Sequence, residues 1–414
     1  MSLASFLRDN ARFLLSGGLL SLTSSYGQTY FIAIFAGQIM AEFALSDGEW
    51  GLIYTLSTTI SALVMLWAGA LTDTFRVRSL ALIVLPTLAA LCILMGLNTS
   101  VAGLALIVFA LRLFGQGMTS QLAITAMARW FVARRGLALS ISAMGFAIGQ
   151  SLLPILSAAL LERIDWRTIW MLAALPVLLI IPLLLWLLSQ ERTPQSIATE
   201  TNAVGMDGRH WTRKDVVTSP LFWMLMPMLL GPPAWGTSLF FQQVHIADVK
   251  GWDLIDYFAL IPLLTAVSVC TTLISGQLID RFGSSGISKF YLLPFAVSFL
   301  ILGLADSLWM AGVGFMVFGI GAGFQATLPA AFWSEFFGTR YIGAIKAVST
   351  SIMVFGSAIG PGISGVLIDL GYSFPEQCTG IAVYFVVAAL MVWLGVRKAE
   401  PRLPHASEIK VERA

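Results

Sequence analysis

Arg112 is the residue whose type and position point most directly to chemistry. It lies in the middle of the apolar segment 101–128, which has the length of a membrane-spanning helix. A permanently charged guanidinium near the centre of a bilayer costs at least about 2.5 kcal/mol, and such residues usually face a cavity or a partner. Two interpretations stay open: Arg112 attracts an anionic ligand, or it is bound structurally to backbone carbonyls of the first apolar segment or to Gln116.

Polar side chains also recur at helical spacing in the first, fourth, seventh and eleventh apolar segments of the chain. Such stripes must face protein or water, because an unsatisfied polar group in hydrocarbon costs several kcal/mol. The candidate ligand contacts are Arg112, Tyr26, Gln28, Gln116, Trp235, Gln242, Gln325, Ser349 and Thr350. In the alternative interpretation, Ser and Thr bond to their own helix, Gln joins helices, and Tyr or Trp anchors the chain at the membrane interface.

Covalent chemistry has no visible basis in the sequence. The three cysteines are too few for a disulfide framework, and the three histidines, His210, His245 and His405, lack ligand spacing. No Asp or Glu is expected at the depth of Arg112 in any apolar segment. A membrane enzyme would need clustered His, Cys, Asp or Glu. The sequence therefore predicts no enzyme, no metal site and no cofactor.

The composition indicates a membrane protein. Of the 414 residues, 57% are hydrophobic and 11% are charged, whereas soluble domains carry about 25% charged residues. The predicted spans are 13–37, 50–71, 79–97, 101–128, 136–161, 167–188, 220–244, 254–279, 289–305, 309–333, 343–369 and 379–396. The fold class is therefore all-α, with twelve transmembrane helices.

Basic residues predict the orientation, because cytoplasmic loops retain Lys and Arg. With both termini inside, the outer loops hold only Arg163, Arg167 and Lys250 of the 24 basic residues, and Arg112 lies within a span. We expect a multi-pass protein of a bacterial plasma (inner) membrane, monomeric and surrounded by lipid. The net charge of +2 gives no case for nucleic acid as a partner.

The chain contains an internal repeat. Gly69 and Asp73 follow span two, and Gly276 and Asp280 follow span eight, an offset of 207 residues in both pairs. Half the chain is 207 residues long. Two six-helix halves around a pseudo-two-fold axis along the membrane normal describe one class of transporter. The predicted division is an N-terminal half at 1–188, a cytoplasmic linker at 189–219, a C-terminal half at 220–396 and a cytoplasmic tail at 397–414.

These features resemble the major facilitator superfamily of secondary transporters over essentially the whole chain. The resemblance is carried by both Gly-x-x-x-Asp loops, by Arg112 with Gly115 and Gly117, by Gly145, Gly149 and Pro154, and by Gly356 to Gly362. It implies that the two loops act as a cytoplasmic latch that breaks and reforms during turnover. The implied gating residues are Asp73, Arg76, Arg78, Asp280 and Arg281. The N-terminal copy departs from the family pattern, with Thr74 and Val77 at basic positions and Arg76 at a glycine position.

Within the superfamily, the loops at 129–136 and 337–343 resemble those of the oxalate/formate antiporter and monocarboxylate porter group. This resemblance implies a small organic anion as the solute. Because no carboxylate or His is central in a span, a coupled proton and an exchanged anion both stay open as partners. In the oxalate-binding members of that group, the resemblance implies an Arg in span eight and a Lys well inside span eleven. Here span eight contains no basic residue and Lys346 lies near the mouth of span eleven, so oxalate itself is disfavoured. The expected function is secondary active or facilitative transport by alternating access. Two alternatives stay open: an exporter of amphipathic or drug-like compounds, and a transporter-like receptor.

Overall fold

The computed structural model describes residues 3–69, 71–131, 135–189, 204–338 and 340–403, and these are helical with short connections and without strands. The first part contains α1 Leu3–Thr23, α2 Thr29–Ile32, α3 Ala36–Phe43, α4 Asp47–Ala68, α5 Leu71–Thr74, α6 Val77–Leu97, α7 Val101–Leu111, α8 Ser120–Trp130, α9 Arg135–Leu161 and α10 Trp166–Leu187. The later part contains α11 Arg213–Thr218, α12 Pro220–Phe241, α13 Gln243–Lys250, α14 Leu254–Phe258, α15 Ile261–Ser288, α16 Leu293–Leu304, α17 Leu308–Phe337, α18 Ile342–Asp369 and α19 Phe374–Ala399.

The all-helical membrane fold predicted from the sequence is confirmed. Each predicted span coincides with one helix or with a run of consecutive helices. Among the described residues, eight helices are long and apolar enough to cross a membrane by themselves. Two bent helix pairs bring this number to ten if each pair counts as one span.

Spans one and four, which the sequence presents as single helices, are interrupted near their middle. Span one consists of α1, the 3-10 turn Ser24–Gly27, α2, the 3-10 turn Ala33–Phe35 and α3. Span four consists of α7, the π-helical segment Arg112–Thr119 and α8. Hydropathy does not detect either interruption, because Ser, Gly and Gln are tolerated within an apolar segment whether or not the helix continues.

The chain forms two compact units. The first contains residues 1–198 together with the later segments 240–259 and 361–369. In this unit α1 packs on α9, α6 packs on α10, and α4 packs on α7 and the π-helical segment. Aromatic side chains, including Phe31, Phe35 and Trp170, form part of its buried interior.

The second unit contains residues 199–239, 260–360 and 370–414. Its core is built from α15 packed on α17, with α16 between α17 and α19. The boundaries between the units fall inside α12 and α18, so these two helices contribute to both. The predicted halves, 1–188 and 220–396, are defined as the parts that move against each other during transport. This division stays a prediction.

The described part of the predicted linker, residues 204–219, is ordered against the second unit. The backbone N–H of Trp211 donates to the carbonyl of Phe337 at the end of α17 over 3.1 Å. The indole of Trp211 packs edge-on against the Phe337 ring. Asp207 accepts hydrogen bonds from Arg402, the Nε–Oδ1 distance being 3.0 Å. This stretch is therefore attached to the helix ends of the second unit, rather than being a free tether.

Candidate functional site

The interruption of span one lies beside the π-helical segment of span four. After the 3-10 turn, Gln28 has an extended backbone with φ −85° and ψ 153°. Gly27 packs so closely that an added Cβ would overlap the carbonyl oxygen of Leu111 and lie 2.6 Å from the backbone nitrogen of Gln116. A residue with a side chain could not occupy this crossing without a backbone shift. Gly115 faces Gly27 across the same contact.

Arg112 begins the π-helical segment and bonds to the interruption of span one. Its side chain is buried, with 1% of its surface exposed. Nη1 donates to the carbonyl oxygen of Gly27 over 3.0 Å and to Thr29 Oγ1 over 3.4 Å. The guanidinium also lies over the Tyr54 ring, 5.3 Å from its centroid. The Nε atom is buried and has no hydrogen-bond partner.

This geometry has a simple physical basis. An interrupted helix leaves backbone carbonyls without partners, and an unsatisfied polar group in a membrane costs several kcal/mol. Arg112 supplies the donor for the Gly27 carbonyl, and the carbonyl supplies an acceptor for a charge that would otherwise be buried alone. One of the two sequence interpretations, contact with a backbone carbonyl of span one, corresponds to this arrangement.

Three other candidate residues lie close to the same interruption in the chain. Tyr26 is buried and packs edge-on against Phe31, with 5.1 Å between ring centroids. Gln28 and Gln116 are both partly exposed. Short helical interruptions with π-type turns are frequent at functional sites. The first unit therefore contains a candidate site formed by the interruption of span one, the π-helical segment and Arg112.

Gln242 belongs to the first unit and joins two helical segments that are distant in sequence. Its Nε2 donates to Ser364 Oγ over 3.2 Å, and both side chains are buried. The neighbouring Gln243, which the sequence interpretation missed, donates from Nε2 to the backbone carbonyl of Tyr30 over 3.0 Å. Tyr54 and Thr29 were missed as well, although they are hydrogen-bonded to each other beside Arg112. Helical spacing gave no signal for these three residues.

The remaining four candidate contacts lie in the second unit. Trp235 is partly exposed and meets Tyr384 edge-on at 6.0 Å between ring centroids. Gln325 is partly exposed, Ser349 is buried and Thr350 is exposed. Tyr384 donates its hydroxyl hydrogen to the carbonyl of Pro227 over 2.8 Å. The predicted contact residues are thus distributed over two units, five in the first and four in the second.

The predicted gating residues fall at helix ends. Asp73 lies in α5 and Asp280 in α15, and their side chains are outside the described part of the structure. Arg76 and Arg78 are exposed at the start of α6, and exposed Arg281 lies over the Phe282 ring. α15 bends at Gly283, which has φ 72°. The next residue, Ser284, donates its backbone N–H to Glu335 over 2.9 Å.

Within the residues the structure describes, no group of three or more His, Cys, Asp or Glu could hold a metal ion. Outside the spans, hydrogen bonds lower the pKa of two carboxylates near the start of the tail. The hydrogen bond from Arg402 lowers the pKa of Asp207. The hydrogen bonds from Lys289 and Ser285 lower the pKa of Glu400 in the same way.

Comparison with known proteins agrees with this architecture. The family model described as Major Facilitator Superfamily matches residues 17–361. Multidrug resistance protein 1 of Bacillus subtilis is 26% identical over 174 residues, and this match spans 42% of each chain. Because the match covers less than half of either protein, the activity of that relative is not assigned to this chain.

Two solved structures share the fold. A bacterial homolog of the human lysosomal transporter Spinster, in an inward-facing and unoccupied conformation, has a TM-score of 0.71 at 17% identity, covering 96% of this chain and 99% of that one. The nucleoside transporter NupG has a TM-score of 0.72 at 14% identity, covering 93% and 99%. The family match, together with the helical membrane fold, shows that this chain belongs to the major facilitator superfamily, whose members are transporters and not enzymes.

Proposed function

We propose that the chain transports amphipathic, drug-like organic compounds across the membrane by alternating access. The observation that carries this proposal is the state of Arg112, the deepest cation expected from the sequence. Arg112 is 1% exposed, and its guanidinium donates to the Gly27 carbonyl. The cation therefore satisfies a carbonyl of the interrupted helix and does not face a solute. Phe146, which meets the buried Tyr30 ring edge-on beside the interruption, is partly exposed and offers an apolar surface to a solute.

The name of the Bacillus subtilis relative, Multidrug resistance protein 1, agrees with this substrate class. The direction that we propose with this substrate class is export. Anion exchange, facilitated passage and proton coupling stay alternatives for the energetics. The resemblance of two loops to the oxalate/formate antiporter and monocarboxylate porter group supports a different solute.

A small organic anion is therefore the second candidate substrate. A specific observation favours it, because the Nε–H of Arg112 is buried without an acceptor. A carboxylate that reached this atom would make a charge-assisted hydrogen bond, which is roughly twice as strong as a neutral one. For such contact, the packing around Arg112 would have to open, since the side chain is buried in this structure.

Ligand binding to purified protein separates the two candidates. Tetraphenylphosphonium serves as the amphipathic probe and benzoate as the monocarboxylate probe, each titrated by calorimetry and thermal shift. A ligand at 100 times its Kd should stabilise the protein by about 2.7 kcal/mol. We expect tetraphenylphosphonium to bind, with the same Kd in Arg112→Gln as in the parent. Binding of benzoate that is lost in Arg112→Gln and partly retained in Arg112→Lys would contradict the proposal and establish the anion.

We further propose a monomer in a bacterial plasma membrane with both termini cytoplasmic. The support for the orientation is the excess of Lys and Arg in the loops on the side of the termini. Single cysteines at Gly208 and at Gly251, in a variant without Cys92, Cys270 and Cys378, test the orientation with an impermeant thiol reagent. Cysteine at 251 should react in intact cells, and cysteine at 208 should react only after permeabilisation. The opposite result would reverse the topology.

A further inference from the structure

Two late segments of the chain, 240–259 and 361–369, belong to the first compact unit together with residues 1–198. The segment 361–369 is the C-terminal part of α18 and ends at Asp369. Its glycines lie close to the first residues of α4. From the distribution of basic residues, this end of the unit is predicted to be extracellular. The contact between α4 and the end of α18 therefore lies where an outward opening would have to form.

Asp369 makes the polar contact at the end of this packing surface. Its Oδ2 accepts a hydrogen bond from Ser46 Oγ over 2.7 Å and another from the backbone N–H of Gly48 over 3.0 Å. Ser46 is the N-cap of α4 and Gly48 lies in its first turn, where N–H groups lack partners within the helix. A carboxylate at a helix N-terminus is also favoured by the helix dipole. Asp369 is thus a second cap for α4, supplied from more than 320 residues later in the sequence.

Glycines of α4 and α18 form much of the remaining contact surface, so few side chains project from it. A Cβ on Gly51 would lie 2.6 Å from the carbonyl oxygen of Pro361, and one on Gly362 would lie 2.6 Å from Thr55 Oγ1. A Cβ on Gly365 would come closer still to the carbonyl oxygen of Asp47, and one on Gly48 closer still to Oδ2 of Asp369. Small residues let helix backbones approach closely without interlocked side chains. Such a surface can separate and close again without side-chain rearrangement, so the polar bonds at its end contribute to the resistance to opening.

Charge at this end makes the contact easier to break. The carboxylates of Asp47 and Asp369 repel each other. Asp47 also interacts electrostatically with His245 of α13, and His245 interacts with Asp248. Closure therefore brings two carboxylates together, held by the bonds from Ser46 and Gly48. Separation would relieve the repulsion while breaking those bonds. Because the hydrogen bonds stabilise the contact and the carboxylate repulsion destabilises it, the contact can form and still break reversibly.

We propose that Asp369 is a gating residue that latches the end of α18 onto the N-terminus of α4, and that this latch breaks and reforms once in each transport cycle. The inference rests on the proposed alternating access, and it does not depend on the identity of the solute. It differs from the cytoplasmic loops implied by the family resemblance, because it lies at the opposite end of the spans. It also assigns a role to Ser46 and Gly48, which the proposed substrate site does not use.

The test measures opening directly, without any substrate. Ser364, on the same part of α18, is fully buried. A Ser364→Cys reporter is placed in a chain whose own three cysteines are replaced, and its labelling by an impermeant maleimide is followed in intact cells. Asp369→Asn should raise the labelling rate at least about threefold, since it removes the negative charge that strengthens both bonds, and a charge-assisted bond is roughly twice as strong as a neutral one. Ser46→Ala, which removes one of the two donors, should raise the rate by a smaller factor.

Glu376→Gln is the matched control. Glu376 accepts hydrogen bonds from Ser373 Oγ and N–H, both over 2.7 Å, so its chemistry is the same, but it caps its own helix α19. This variant should leave the rate unchanged. Rates in Asp369→Asn and Ser46→Ala equal to that of the parent would overturn the latch. If Asp369→Asn is not monodisperse, Ser46→Ala alone decides. Failure of tetraphenylphosphonium to bind would count against the proposed substrate and would not affect this measurement.

Discussion

Arg112 and Gly27, 85 residues apart in the sequence, are joined by a hydrogen bond of 3.0 Å from the guanidinium to a backbone carbonyl. The bond forms where both partners depart from regular α-helix, one at the end of a 3-10 turn and the other at the start of a π-helical segment. Each partner compensates for the other, because an unpaired carbonyl and an unpaired cation are both costly within a membrane. The bond therefore joins the two interrupted spans.

Arg112→Gln should lower the stability of the folded protein. Hydrogen bonds to charged groups contribute about 1.5–3 kcal/mol, so we expect a loss of that order together with a lower Tm in detergent. Arg76→Gln is the control, because Arg76 is exposed and should change stability by less than about 0.5 kcal/mol. An unchanged melting temperature in Arg112→Gln would mean that the bond to Gly27 contributes little to folding.

Gly27→Ala should be strongly destabilising. Its new Cβ would overlap backbone atoms of Leu111 and Gln116, which cannot move aside as a side chain would. Overpacking of this kind typically costs 1–3 kcal/mol, so we expect a loss of about 2 kcal/mol or more. Gly18→Ala is the matched control, because a Cβ there meets no atom within 4 Å. Gly18 lies in α1, so alanine at that position should be neutral or slightly stabilising. Similar melting temperatures for the two variants would contradict the close crossing.

The attachment of the linker to the second unit should depend on Arg402 and on pH. The hydrogen bond from Arg402 lowers the pKa of Asp207, so this contact favours the ionised carboxylate. Its contribution is therefore complete above the ordinary carboxyl pKa of about 3.9 and is lost as the pH falls through the lowered value. Hydrogen-exchange protection of the Trp211 amide, corrected for intrinsic rates, measures the attachment.

At pH 7, Arg402→Gln should reduce that protection, whereas Arg397→Gln should not. Arg397 contacts the Trp393 ring of its own helix and serves as a basic control nearby. In the parent, protection should be constant between pH 5 and pH 7 and decrease only below about pH 3.9. Equal protection in Arg402→Gln and the parent would show that the Trp211–Phe337 backbone bond is sufficient by itself.

Asp280→Asn should slow transport more than Asp73→Asn. The C-terminal loop keeps Arg281 and Gly283, and the structure adds a bend at Gly283 and a bond from the Ser284 N–H to Glu335. The N-terminal loop has Thr74 and Arg76 at the positions that correspond to Arg281 and Gly283. Initial rates of tetraphenylphosphonium flux in proteoliposomes, at equal protein content, compare the two variants. Rates equal to that of the parent in both variants would remove the latch role implied by the family resemblance.

The sequence alone determined the class of the protein. Length, hydropathy and the positions of the charged residues predicted an all-helical membrane protein, and each predicted span coincides with described helices. The Gly-x-x-x-Asp repeat and the glycine-rich spans led to the superfamily, which the family match confirmed. These properties are local or periodic, so they can be recognised without knowing which helices touch.

Only the tertiary structure decided which polar groups meet. Serine, glycine and glutamine within an apolar segment are compatible with a continuous helix, so the interruptions in spans one and four left no distinct pattern. The partner of Arg112 was one of several open alternatives, and Gln243, Thr29 and Tyr54 gave no periodic signal. The bond from Ser46 to Asp369 joins positions 323 residues apart, and no local property relates them. Such pairs depend on how distant helices pack, because packing alone determines which buried donor reaches which acceptor.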